Sequence, residues 1–162
     1  MPARMAATRR TTFLILFAST LAACGVTDHA RHAGHEAQAG DGRLAVDFPE
    51  PLRTHTLANM RDHLLALQEI QQALADGAYD KAGEVSETRL GMTSLAAHGA
   101  HDVAKFMPPG MQSIGTEMHR SASRFAVEAA NAGATGNVKP ALAALAHVTR
   151  QCVACHAAYR MK

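Results

Sequence analysis

At 162 residues the chain can hold one domain with its own core, and a hydrophobic content of 48% excludes an intrinsically disordered polypeptide. A formal net charge of +2 gives no strongly basic surface, so no nucleic-acid partner is expected. Aromatic residues make up 4% with no Trp, and alanine is abundant, which favours helices packed through small and aliphatic side chains over a β fold. The three cysteines do not pair off evenly, so each needs its own account.

The N-terminus reads as an address. Arg4, Arg9 and Arg10 stand in a segment without acids. An apolar run over 13–23 follows, too short for a membrane span of about 20 residues. A basic start, a short apolar core and small residues after it predict a secretory signal over 1–23. The sequence Leu21-Ala22-Ala23-Cys24 resembles the lipobox of bacterial lipoproteins. That resemblance implies cleavage before Cys24 and lipidation of its thiol; plain cleavage after Ala23 is the alternative. Acyl chains on Cys24 would tie the protein to a membrane surface of the bacterial envelope, on the periplasmic side. Arg9-Arg10 before Phe13-Leu14 hints at a twin-arginine signal, but the spacing is one residue too long and the general secretory route is expected. Residues 24–50 are rich in Gly, Ala, Asp and His and lack apolar periodicity, so they read as a flexible tether. His29, His32 and His35 within it are either a weak metal site or ordinary polar tether residues.

The remainder, 51–162, has helical spacing. Leu57, Met60, Leu64, Leu67, Gln71 and Leu74 step by three or four, and Asp76-Gly77 closes this first helix with a glycine C-cap. A second helix is expected from about Asp80 to near Ala100, with Val85, Met92, Leu95 and Ala96 as its stripe. Phe106-Met107-Pro108-Pro109-Gly110 breaks the chain. A third helix carries Met111, Ile114, Met118, Ala122, Phe125 and Ala129, and residues 132–136 break it. A fourth begins near Asn137, tolerates Pro140 in its first turn, and places Leu142, Leu145, Thr149, Cys152, His156 and Tyr159 on one stripe. Four amphipathic helices with short connections predict an all-α, antiparallel up-down four-helix bundle.

Cys152-Val153-Ala154-Cys155-His156 is the strongest chemical signal. Cys152 and Cys155 lie one helical turn apart, so both sulfurs share a face and can form thioethers to the two vinyl groups of one haem. His156 is then held beside the ring as the proximal axial ligand. A thiol redox pair would want a thioredoxin-like βαβ setting, which the pattern lacks. A zinc site would need two further ligands; His98 and His101 are a candidate pair, but no sequence rule brings them to Cys152. Only six residues follow His156, so Met161 is too close to wrap to the opposite haem face and a distal ligand must come from upstream.

A haem motif at the extreme C-terminus of a four-helix bundle resembles the class II c-type cytochromes, the cytochrome c-prime family. Cys152-Val-Ala-Cys155-His156-Ala-Ala-Tyr159-Arg160 is similar to that family's ending, and Gly77-Ala-Tyr79-Asp80 to its first hairpin. The resemblance covers about residues 54–162. It implies a distal residue from the first helix, near Arg61 and within one residue of Met60. A Met there marks the low-spin, six-coordinate branch, and His/Met ligation raises the reduction potential. His63, one turn on, is the rival ligand, and a histidine on a surface-facing edge is its duller account. Met92 and Met118 are expected to be core residues. Thr56 stands where the family often has a basic residue, which leaves Arg53, Arg61 and Arg160 as candidates near the haem propionates. Arg160 is best placed to tune the proximal side. The expected function is a one-electron carrier with a single covalent haem c, acting with redox partner proteins; many relatives of this kind are homodimers. An empty distal position would instead make it a gas-binding haem protein for NO or CO. No acid/base pair or nucleophile stands out, so no enzyme is expected.

Overall fold

The computed structural model describes residues 41–162. The expected signal, Cys24 and the tether histidines His29, His32 and His35 lie outside the described residues. The described chain is mostly helical and all-α in character. Its elements are β1 (Leu44–Val46), α1 (Glu50–Ala75), α2 (Tyr79–Arg89), a 3₁₀ helix (Met92–Leu95), α3 (Ala100–Ala104), α4 (Pro109–Thr135), α5 (Lys139–Ala158) and β2 (Tyr159–Met161).

The helix ends follow from local chemistry. At the end of α1 the Ala78 N–H bonds to Ala73 O at 2.8 Å and the Gly77 N–H to Leu74 O at 3.2 Å. This is the Schellman arrangement, and it needs the left-handed φ of +71° that Gly77 supplies without strain. Pro109 opens α4, where the missing proline N–H costs nothing, and Pro140 sits in the first turn of α5 for the same reason.

The second expected helix is shorter than its sequence suggests. α2 ends at Arg89, Gly91 is extended, and a 3₁₀ turn and the short α3 replace the expected run to Ala100. Met92 is accordingly exposed instead of core, whereas Met118 is buried as expected. A second departure lies at the N-terminal edge. β1 falls in the stretch expected to be tether and pairs in parallel with β2, Leu44 opposite Tyr159 and Val46 opposite Met161. Phe48 is buried, and Arg53 Nε donates to Lys162 O at 2.8 Å. The last residues of the chain are therefore tied to the start of α1.

Helix α1 packs on α2, α2 on α4, and α4 on α5, whereas α1 and α5 touch only marginally. The main core joins Ala66, Ile70 and Leu74 to Val85, Met118, Phe125, Leu145 and Val148. Small residues let α2 and α4 approach closely. A Cβ on Gly83 would come within 3.2 Å of Ala126 O, and Ser86 Oγ donates to Ala122 O at 3.0 Å. A smaller cluster of Val46, Phe48, Val103 and Met111 packs with Cys155, Tyr159 and Met161.

The expected stripes on α1 and α5 are off by one flank. The buried face of α1 is Thr56, His63, Ala66, Ile70, Ala73 and Leu74. Met60, Leu57 and Leu67 are half-buried, and Leu64 is 69% exposed. On α5 the buried face is Ala141, Leu145 and Val148, while Leu142, Thr149 and His156 are exposed. Leu64 and Leu65 on α1, and Leu142 and Val153 on α5, thus leave large apolar side chains uncovered on the two helices that do not close on each other.

Candidate haem-attachment site

The last turns of α5 carry Cys152, Cys155 and His156. Cys152 lies against the main core and its thiol donates to Val148 O at 3.6 Å. Cys155 lies against the smaller cluster beside Tyr159 and Met161. Both are free thiols, half-buried, and burial pushes both upward from the ordinary thiol value. Raised thiols hold a smaller thiolate fraction at neutral pH than free cysteine does. His156 is exposed, and its carbonyl accepts a bond from Arg43 Nη1 at 3.3 Å. The helix is held here from both sides, because Tyr159 to Met161 continue straight into the β1–β2 pairing.

On α1, Met60 is half-buried and shares a flank with Leu57, Leu64 and Leu67, at about 100° of helix rotation per residue. The other flank is occupied, since Asp62 and Glu69 both hold Arg89 of α2, Glu69 at 2.6 Å. Met60 is therefore on the flank away from Arg89 and, half-buried, is not among the buried core residues. Two half-buried thiols one turn apart with an adjacent exposed imidazole on α5 have the chemistry to hold a haem covalently, whereas Met60 stands on a different helix, α1, which does not pack extensively on α5.

The histidines sort differently from expectation. His63 does not sit on a surface edge. It is buried at 8% exposure, within ring contact of His98 and near His119. Burial, with the neighbouring His98 and His119 rings adding to it, pushes His63 down to about 4. His98 belongs to this group and His101 is exposed, and among the described residues no three His, Cys, Asp or Glu side chains are so placed that, as they stand, they could hold a metal ion. His119 is a site residue that the sequence pattern did not single out; its one sign was a titratable residue next to core Met118.

The arginines also divide. Arg160 is exposed, and its Nε lies 3.4 Å from Asp41 Oδ2. Arg53 is committed to the C-terminal carbonyl, and Arg61 is exposed. No family model, curated protein or solved structure matches this chain.

Proposed function

We propose that the chain is an exported c-type cytochrome, an antiparallel four-helix bundle of the cytochrome c-prime kind that acts as a one-electron carrier in the bacterial envelope. The observation that carries the proposal is the pair of half-buried thiols, Cys152 and Cys155, one turn apart on α5 with His156 beside them. When bound, the haem supplies an Fe(III)/Fe(II) centre for single-electron transfer.

The chain's own residues have separate tasks. Cys152 and Cys155 hold the cofactor through thioethers. His156 would offer an imidazole nitrogen to the iron, and the β1–β2 pairing fixes the segment that follows it. Met60 would be the residue of α1 to offer a thioether sulfur to the cofactor, on a flank that also carries Leu57, Leu64 and Leu67. Arg160 places positive charge near the attachment turn. Cys24, as the lipidated first residue of the mature chain, anchors the protein to the periplasmic face of a membrane, where redox partner proteins and a second copy of the chain would meet it.

The apolar flank around Met60 also suits a second reading, a five-coordinate haem protein for NO or CO, if the Met60 sulfur stays off the iron. The absorption spectrum of purified protein separates the two. A low-spin spectrum with the Met–iron charge-transfer band, lost in Met60→Ala, is expected. A high-spin spectrum with rapid CO binding in the unaltered protein would overturn the carrier reading.

A further inference from the structure

His63 on α1, His98 after the 3₁₀ helix, and His119 on α4 converge inside the domain. Their ring centroids lie 4.8 Å apart for His63–His98, 5.4 Å for His98–His119 and 6.3 Å for His63–His119. Three imidazoles around one tetrahedral ion, each at the usual zinc–nitrogen distance of about 2.0–2.1 Å, would have centroids about 5 Å apart. Two of the three pairs already match, and the third must close by about 1 Å to meet that geometry.

The hydrogen bonds leave the right atoms free. His119 Nδ1–H donates to Leu90 O at 2.7 Å, an assignment made from the partner, which can only accept. That leaves the lone pair on His119 Nε2, and a backbone carbonyl on the other nitrogen is the usual support of a metal-bound histidine. Ser94 Oγ donates to Gly91 O at 2.7 Å and is 3.4 Å from His98 Nδ1, so the His98 Nδ1–H turns toward it and Nε2 is free. His63 Nε2 is buried and has no hydrogen-bond partner among the described residues. An unpartnered buried polar atom costs about 1–3 kcal/mol, and an ion at that nitrogen would remove the cost. Burial lowers the proton affinity of all three rings, which keeps them neutral donors at pH 7.

Nearby Asp62 is held by Arg89 and does not compete for the rings. His98 sits in turn structure, linked to α1 where Asn59 Nδ2 donates to His98 O at 3.2 Å. The pair that must close is His63–His119, between α1 and α4, and His63, whose Nε2 makes no hydrogen bond among the described residues, is the ring whose rotation would close it.

We propose that His63, His98 and His119 form a binding site for one divalent first-row metal ion of the kind that imidazole favours, such as zinc or copper. The site is separate from Cys152, Cys155 and His156 and does not rest on the haem reading.

The test uses the purified full-length protein, stripped with chelator and dialysed against zinc, with bound metal counted and zinc-edge X-ray absorption recorded. The expected result is one zinc per chain with nitrogen ligands at about 2.0 Å. His98→Gln and His119→Gln, checked for native circular dichroism, should each weaken binding by more than about 100-fold, the upper end of what changes to outer-shell partners cost. His98 is half-buried, so its variant keeps the test available where a change at His63 or His119 prevents folding. Zinc affinity unchanged in the folded variants would overturn the proposal. So would zinc that is lost on deleting residues 25–40, failure to retain zinc through dialysis, or spectra assigning His63 to haem iron.

Discussion

Acid should weaken this protein well above the range where carboxylates titrate. The cause is His63, buried at 8% exposure and pushed from 6.5 down to about 4. As pH falls through 6.5 the unfolded chain takes up the His63 proton, while the folded chain refuses it until near 4. The stability that His63 supports is therefore complete above 6.5, declines between 6.5 and about 4, and declines no further below. At about 1.4 kcal/mol per tenfold in proton affinity, the gap amounts to about 3 kcal/mol, a large share of the roughly 5–15 kcal/mol that holds an ordinary domain together. His98 and His119, also lowered by burial, act in the same direction. Asp62 and Glu117 are lowered by Arg89 and Arg124, so their contributions fade only as pH falls below their ordinary values of 3.8 and 4.5. Urea unfolding of chelator-treated protein, followed by circular dichroism from pH 7 to 4.5, isolates the histidines. The midpoint should hold near pH 7 and fall steadily below about 6.5, and His63→Gln should remove most of that fall. An unchanged midpoint between pH 7 and 4.5 would refute the assignment of a buried, neutral His63.

Other outcomes follow from burial. Phe125→Ala removes a fully buried ring from the main core and should cost about 3–5 kcal/mol in urea unfolding. Leu64→Glu should change the stability of haem-free protein by no more than about 0.5 kcal/mol, because the side chain is already 69% exposed. In the loaded protein the same carboxylate would stand on the Met60 flank and should lower the reduction potential, read by spectroelectrochemistry. Ser86→Ala removes the buried bond to Ala122 O between α2 and α4 and should cost about 1 kcal/mol by the same unfolding assay.

Strong local signals were legible in the sequence. Gly77 at the end of α1, Pro109 at the start of α4, Pro140 in α5 and the Met118–Phe125 stripe all lie where residue chemistry puts them. The faces of α1 and α5 were harder to read. Large apolar residues at helical spacing mark a face that avoids water, but close helix packing selects small residues, so Ala66, Ala73 and Ala141 hold the buried positions. The large ones, Leu64 and Leu142, stay uncovered. The three-residue strands β1 and β2 pair across almost the whole described chain, and neither is long enough to show an alternating pattern. The helix expected to reach Ala100 fails at Leu90-Gly91, where Gly91 leaves helical geometry. The His63–His98–His119 group depends on that same break, since only the turn after α2 brings His98 to α1, and no spacing rule joins three separate elements.

Covalent haem at α5 is tested most directly by denaturing the protein. The chain is produced in an oxidising compartment together with a c-type haem attachment system. It is then extracted with acidified acetone and run on a denaturing gel stained for haem peroxidase activity. One haem should remain with the chain through both steps, with the pyridine spectrum of a haem whose two vinyl groups are saturated. Cys152→Ser should leave a single-thioether spectrum, and Cys152→Ser/Cys155→Ser should leave no retained haem. Haem that washes out of the unaltered chain, or stays with the doubly substituted one, would contradict the account.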